Sequence, residues 1–248
     1  MSVGTRNKKV TLRTRAGRTI ASQPATSLLS ETRPSGIRHS FLGELTSRLT
    51  PHEWRRRLIH MLPGVMPFVM TMIPHRDPVG WKLRTIVVLL TFGLVVFALR
   101  RARLFARVGE HGWATSVISY GIITSLLLVA FPGQLELGMV VTIIIALGDG
   151  SATVAGLILR GRRLPWNQAK SWVGLAAFLV CGGSVATLAY WCEARPGVSP
   201  LLALACVMPA VLAAALAESL PLRMNDNIRV GVTGSLAILM TQSVFVGW

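Results

Sequence analysis

Long apolar runs with few charged residues constrain the fold of this chain more than any other feature of its sequence. Seven such runs follow one another between residue 58 and residue 246. A helix needs about 20 mainly apolar residues to cross a bilayer. Because backbone polar groups in hydrocarbon must pair within their own segment, runs of this kind form helices. The sequence therefore predicts an all-α integral membrane protein, a polytopic bundle of about seven transmembrane helices.

The overall composition supports this interpretation. Residues of the AVILMFWYC set make up 52% of the 248 residues, and charged residues make up 15%, where a soluble domain carries about 25%. This composition argues against an ordinary soluble enzyme. The first and fourth runs are the weakest, because one holds two prolines and the other holds Asp149. The predicted spans are Leu58–Ile73, Leu83–Leu99, Gly112–Phe131, Leu137–Leu159, Val173–Trp191, Leu201–Ala217 and Val230–Val246.

The net charge of +16 is concentrated near the N-terminus, where residues 1–57 hold 12 of the 26 Lys and Arg residues. Residues 1–42 are predicted to be a disordered basic tail, followed by a transmembrane domain over residues 43–248. The tail lacks the apolar core of a secretory signal, and both an organelle transit peptide and a cytoplasmic tail fit its composition. It also lacks the interleaved aromatic residues of a nucleic-acid binder.

The distribution of Lys and Arg among the loops orients the helices. The loops at residues 100–107 and 160–170 are basic and fall on the side of the tail, which predicts a cytoplasmic N-terminus. The loop at residues 75–84 disagrees, since it holds Arg76, Lys82 and Arg84 but falls outside.

Ionisable side chains inside or beside the predicted spans converge on the cytoplasmic side. Such groups are costly in a membrane and are functional candidates by default. Asp149, Glu218 and Asp226 fall on this side although the topology was assigned from Lys and Arg alone, and Lys170 belongs to one of the basic loops on the same side. They therefore predict a single site at the cytoplasmic ends of the helices.

The chemistry of these side chains fits a polyphosphate. Carboxylates can hold Mg²⁺, which binds through one or two of them together with phosphate oxygens, and Lys and Arg neutralise phosphates. Arg163 is a candidate for such a contact, although a loop arginine on this side is more often an orientation signal. Gly148, Gly150 and Gly156 permit a close backbone approach, but Gly148 and Gly156 also fit a small-residue face for helix packing.

Three sequence blocks, taken in order, resemble the polyprenol kinase family, which includes dolichol kinase, phytol kinase and the CTP-dependent diacylglycerol kinase. The central block is the most specific, and the resemblance runs from about residue 44 to the C-terminus. A departure is Arg229-Val230-Gly231, where relatives often have a proline soon after Asp-Asn. The blocks are Arg56-Arg57-x-x-His60, then Gly148-Asp149-Gly150 with Gly156 and Lys170-Ser171-x-x-Gly174, and then Glu218 with Asp226-Asn227.

The resemblance implies a membrane enzyme that uses CTP, with Mg²⁺, to phosphorylate a lipid alcohol at the cytoplasmic face. Asp149 and Asp226 would be metal or nucleotide residues, and Lys170 and Ser171 would contact the CTP phosphates. Asp149 or Asp226 would orient the lipid hydroxyl. The remaining roles are supporting and lining ones, assigned to Glu218, Asn227, Arg57 and His60, with Gly148, Gly150, Gly156, Arg163 and Gly174 as further CTP-binding candidates. Phytol, polyprenol and diacylglycerol all remain open as substrates.

Two other classes of protein compete with a kinase. A phosphatidate cytidylyltransferase would use the same ingredients, but the Lys-rich block expected near its C-terminus is missing, since residues 222–248 hold no Lys. A transporter would place the Gly148-Asp149-Gly150 break between two half-helices. A matching interrupted run in the other half of the chain is not found.

Overall fold

Helices account for nearly all the regular structure in residues 49–101 and 113–247, which are the residues that this computed structural model describes. Five of these helices are long and apolar enough to cross a membrane, and a shorter apolar helix covers Ala114–Ala130. The prediction of an all-α polytopic membrane protein is confirmed. The predicted tail, and its boundary with the domain at residues 43–248, lie outside the described residues.

The helices follow the apolar runs closely, and only one pair of strands interrupts them in the described part of the chain. Segments of 3₁₀-helix cover Leu62–Val65, and segments of π-helix cover Ile144–Asp149 and Phe178–Gly182. The regular elements are α1 Pro51–Met61, α2 Met66–Thr71, α3 Trp81–Arg100, α4 Trp113–Ala130, α5 Leu135–Ile143, α6 Gly150–Leu159, β1 Arg163–Leu164, β2 Asn167–Ser171, α7 Trp172–Ala177, α8 Gly183–Glu193, α9 Pro200–Ser219 and α10 Asp226–Phe245.

The first predicted span, Leu58–Ile73, is not one continuous helix in the structure. Helix α1 ends at Met61, a 3₁₀ turn follows, and α2 resumes at Met66. Pro63 and Pro67 explain the break, because proline supplies no N–H to the helical ladder and its ring clashes with the preceding turn. The segment therefore consists of two short helices.

The fourth run forms the centre of the bundle. All nine residues of α5 are buried, and the π-helical segment that continues it ends at Asp149. The second π-helical segment packs beside the first, so that a Cβ built on Gly182 would lie 2.9 Å from Gly148 Cα. Short π-helical segments recur at functional sites, and the first of these two ends at Asp149, the ionisable residue of that segment.

A β-hairpin between α6 and α7 is an element that the sequence did not predict. Its strands pair antiparallel, with Arg163 opposite Ser171 and Leu164 opposite Asn167. Leu164 is buried, while Trp166 Nε1 and Asn167 Nδ2 donate to the Oγ and the carbonyl oxygen of Ser219 at the end of α9. The hairpin is therefore anchored to the end of α9.

The loops gather at two ends of the helices. At one end, the backbone N–H of Val79 donates to the carbonyl of Pro132 at 2.6 Å, and His75 Nε2 lies 2.7 Å from Glu193 Oε1. We call this the opposite end. The hairpin and the residues around Asp226 lie at the other end, which we call the site end. The predicted assignment of the site end to the cytoplasm stays a prediction.

Candidate active site

A cavity of about 720 Å³ opens at the site end of the helices. It receives side chains from α1, α4, the first π-helical segment, α6, the hairpin, α7 and the α9–α10 connection. Eleven of the predicted site residues line it, although they come from α1, the first π-helical segment, α6, the hairpin, α7, α9 and α10. They are Arg57, His60, Asp149, Gly156, Arg163, Lys170, Ser171, Gly174, Glu218, Asp226 and Asn227.

Lys170 is the central cation of the cavity. Its Nζ donates to Glu218 Oε1 and also to Asp226 Oδ2, at 3.4 Å for the latter. Burial alone would lower the pKa of Lys170, but the carboxylates of Glu218, Asp149 and Asp226 together raise that pKa above its ordinary value. Because the carboxylates outweigh burial, Lys170 stays protonated at neutral pH.

Asp226 is held from a second direction by Arg229. The Arg229 guanidinium donates to Asp226 Oδ1 and, at 2.7 Å, to the carbonyl of Leu220 that follows α9. Arg229 is itself buried. Each oxygen of Asp226 thus accepts from a different cation, and the ends of α9 and α10 that carry Glu218 and Asp226 are tied together.

Asp149 reaches the cavity from the middle of the bundle. Its side chain is 11% exposed, and its Oδ2 lies 3.4 Å from His60 Nε2. The His60 ring in turn stacks on Tyr120, with 6.0 Å between the ring centroids. Lys170 and Arg57 also lie within electrostatic range of the carboxylate. Asp149 therefore has cationic neighbours without being locked between two of them, as Asp226 is.

The turn before α10 is fixed by the first turn of α4. Asn227 Nδ2 donates to the carbonyl of Ser116 at 2.8 Å, and Asn225 Nδ2 donates to Ser116 Oγ at 2.6 Å. These bonds hold Asn227 at the edge of the cavity, and its supporting role stays a prediction. Thr115, Ser116, Arg223 and Asn225 also line the cavity, and the sequence prediction missed them. A Thr-Ser pair at the start of an apolar run is too common a pattern to have marked a site.

The glycines divide into two groups. Gly156 and Gly174 line the cavity beside Ser171, whose Oγ accepts from the backbone N–H of Gly174 at 3.1 Å. Gly148 and Gly150 are not among the lining residues. A Cβ on Gly148 would lie 2.9 Å from the ring of Phe178, and one on Gly150 would lie 2.4 Å from Met61 Cγ. Helix packing is therefore sufficient to explain the small residues at these two positions, and their CTP-binding role stays a prediction.

The donor set is compatible with Mg²⁺ when phosphate oxygens complete it. Asp149, Glu218 and Asp226 line one cavity, and Mg²⁺ needs only one or two carboxylates when phosphates and waters supply the other ligands. In the described part of the chain, no group of three or more His, Cys, Asp or Glu side chains is arranged to hold a metal ion alone. Asp149 and Asp226 remain the predicted metal residues.

The fold and the site define a class of protein: a helical membrane protein with a polar, cation-rich cavity at one end of its helices. The chain is 26% identical over 211 residues to "Probable phytol kinase 1, chloroplastic" of Oryza sativa subsp. japonica, an alignment that covers 80% of this chain and 67% of the relative. It is 27% identical over 210 residues to "Probable phytol kinase, chloroplastic" of Triticum aestivum, covering 78% and 69%. The resemblance to the polyprenol kinase family is thereby confirmed.

Two further comparisons gave no match. The chain matches no family model. It also matches no solved structure.

Proposed function

We propose that this chain is a CTP-dependent lipid-alcohol kinase. It transfers the γ-phosphoryl group of CTP to the hydroxyl of an isoprenoid alcohol such as phytol, at the cytoplasmic face of a membrane. The observation that carries the proposal is the position of Lys170 between Glu218 and Asp226, in a cavity that also holds Asp149. Relatives named as phytol kinases support the choice of reaction and the class of alcohol.

The cations of the cavity suit the nucleotide phosphates. Lys170, Arg57 and Arg163 line it from the hairpin and from α1, and ammonium and guanidinium groups make strong, charge-assisted hydrogen bonds to phosphate oxygens. Ser171, which caps α7, lines the same cavity and would contact these phosphates. Mg²⁺ held by Asp149 and Asp226 would neutralise charge on the phosphate oxygens.

The lipid reaches the site from the apolar side. Since the alcohol tail must stay among the helices, its hydroxyl approaches the part of the cavity that Asp149 lines. Asp226 is shared between Lys170 and Arg229, so we assign the orientation of the hydroxyl to Asp149, with His60 beside it. The hydroxyl oxygen forms a bond to the γ-phosphorus, the bond from that phosphorus to the bridging β–γ oxygen breaks, and the hydroxyl proton passes through Asp149 to water. The products are a lipid monophosphate and CDP.

Isotope position distinguishes this reaction from its competitors. The full-length protein in detergent is incubated with Mg²⁺ and CTP labelled at either the γ- or the α-phosphate, and with phytol, a polyprenol, diacylglycerol or phosphatidate. We expect γ-label in phytol or polyprenol and no α-label in any lipid. Label from the α-phosphate in phosphatidate would instead identify a cytidylyltransferase.

Two substitutions connect the reaction to the cavity. We expect Asp149→Asn and Lys170→Ala each to lower the rate of γ-label transfer at least about a hundredfold, since both remove charge that acts on the reacting groups. Asp77→Asn, an acid at the opposite end, is the matched control and should keep the wild-type rate. Unchanged transfer in both site variants would show that the reaction takes place elsewhere.

A further inference from the structure

The Lys170 ammonium lies between two carboxylates that come from the ends of different helices, Glu218 Oε1 and Asp226 Oδ2. The Glu218 side chain is 4% exposed, whereas that of Lys170 is 26% exposed. A carboxylate as buried as Glu218 requires a compensating cation, and Lys170 supplies it.

The charges of this cluster already balance. Glu218 and Asp226 contribute two negative charges, while Lys170 and Arg229 contribute two positive charges. A divalent cation that approached alone would meet a neutral cluster and would have to displace an ammonium from a buried partner. Both effects oppose its binding.

We propose that Lys170 is the resident counter-ion of Glu218 and Asp226, so that a divalent cation binds here only together with a polyphosphate. The phosphate oxygens accept hydrogen bonds from the lysine ammonium and draw it off the carboxylates, so that Asp226 Oδ2 becomes available to the metal that Asp149 would also hold. Lys170 is suited to this exchange because its ammonium is a compact charge on a flexible chain, whereas the guanidinium of an arginine is planar and rigid.

This inference deepens the proposed function, because it takes the polyphosphate to be the CTP of the kinase reaction. The statement that a divalent cation does not bind here without a polyphosphate is independent of that reaction. Free Mg²⁺ is excluded from the site, and the metal and the nucleotide enter as one complex.

Equilibrium dialysis of Mn²⁺ against the full-length protein in detergent tests the exchange without using activity. For the wild type, we expect Mn²⁺ retention to be at least about tenfold weaker without CTP than with it. In Lys170→Met, we expect Mn²⁺ to bind without CTP at least about tenfold more tightly than to the wild type. Lys170→Arg, which keeps the charge, should exclude Mn²⁺ as the wild type does.

Arg163→Met is the matched control, since Arg163 lines the same cavity but donates to the carbonyl of Ala169 rather than to a carboxylate. It loses the same charge and should not gain Mn²⁺ affinity. Adding Glu218→Gln to Lys170→Met should abolish the gain. Wild-type protein that retains Mn²⁺ equally well with and without CTP would overturn the proposal, and this result stands even if Lys170→Met fails to fold.

The outcome separates the two proposals. If γ-label transfer fails while CTP-dependent Mn²⁺ retention holds, the counter-ion role survives and the kinase reaction does not. If label transfer succeeds but the wild type binds Mn²⁺ alone as tightly as Lys170→Met, the kinase reaction survives and the counter-ion role does not.

Discussion

His60 Nε2 lies 3.4 Å from Asp149 Oδ2, which joins the broken first helical segment to the π-helical segment at the centre of the bundle. The His60 ring also stacks on Tyr120 from α4. The histidine therefore contacts two elements at once, and it lies beside the Asp149 carboxylate that lines the cavity.

Replacing His60 by phenylalanine separates these two contacts. Phenylalanine keeps a ring against Tyr120 but removes the nitrogen beside Asp149. We expect His60→Phe to lower kcat for γ-phosphoryl transfer at least about tenfold, as is usual when a partner that orients a functional group is lost. The thermal unfolding midpoint should change little. Initial rates at saturating CTP, together with unfolding curves in detergent, provide the measurement.

His52→Phe is the control for this substitution. His52 lies on the same helix but is exposed, and its replacement should leave kcat unchanged. An equal loss of kcat in both variants would mean that disturbance of α1, rather than the contact with Asp149, is responsible.

The anchor of the hairpin predicts a different kinetic signature. Trp166 and Asn167 donate to Ser219, the residue next to Glu218, and so hold the strand that carries Lys170. We expect Asn167→Ala to raise the KM for CTP several-fold, because Lys170 is then less well placed for the phosphates. Steady-state rates at varied CTP test this expectation.

Gln168→Ala is the matched control, since Gln168 Nε2 donates to Leu164 inside the hairpin and not to α9. Its KM for CTP should stay within about twofold of the wild type. A KM that is unchanged in Asn167→Ala would show that the contact with Ser219 does not position the lysine.

The helices of this protein could be predicted because each apolar run has one structural solution in hydrocarbon. The residues of the cavity could be predicted for a related reason. Asp149, Glu218 and Asp226 are acids in or beside apolar spans, where a charge is costly and therefore marks a functional candidate. Lys170 was found through its motif, and its position between two of those acids was not predicted.

Other parts left no signal in the sequence. The hairpin has strands of two and five residues, too short for an alternating pattern to be recognised. Arg229 was noted as a departure from the family pattern, but its bond to Asp226 depends on how α9 and α10 meet. Contacts between distant segments, such as that of Asn227 with Ser116, follow from packing and not from local preference.

The pair at the opposite end should contribute to stability alone. His75 and Glu193 lie 2.7 Å apart, with side chains 4% and 1% exposed. We expect Glu193→Ala to lower the free energy of unfolding by about 3 kcal/mol, because a buried polar partner is left without compensation. The KM for CTP should not change, since the pair is remote from the cavity. Denaturant unfolding and CTP kinetics on the same preparation check both statements.

Arg195→Ala provides the comparison. Its Nε lies 3.9 Å from Asp77 Oδ2 and its side chain is 54% exposed, so this exposed pair should contribute no more than about 1 kcal/mol. Equal losses in the two variants would contradict the assignment of stability to the buried pair.

Two glycines inside apolar elements should respond to alanine in opposite directions. A Cβ at Gly182 would lie 2.9 Å from Gly148 Cα, a backbone atom that cannot move aside as a flexible side chain can. Gly182→Ala should therefore lower the free energy of unfolding by about 1–3 kcal/mol. Because the displaced backbone leads directly to Asp149, the rate of phosphoryl transfer should fall as well.

At Gly93, in the middle of α3, nothing lies within 4 Å of an added Cβ, so Gly93→Ala should stabilise the protein by up to about 1 kcal/mol through helix propensity. Unfolding curves and γ-label transfer for the two variants test the contrast, and a Gly182→Ala protein with wild-type stability and rate would show that the two π-helical segments are not in close contact.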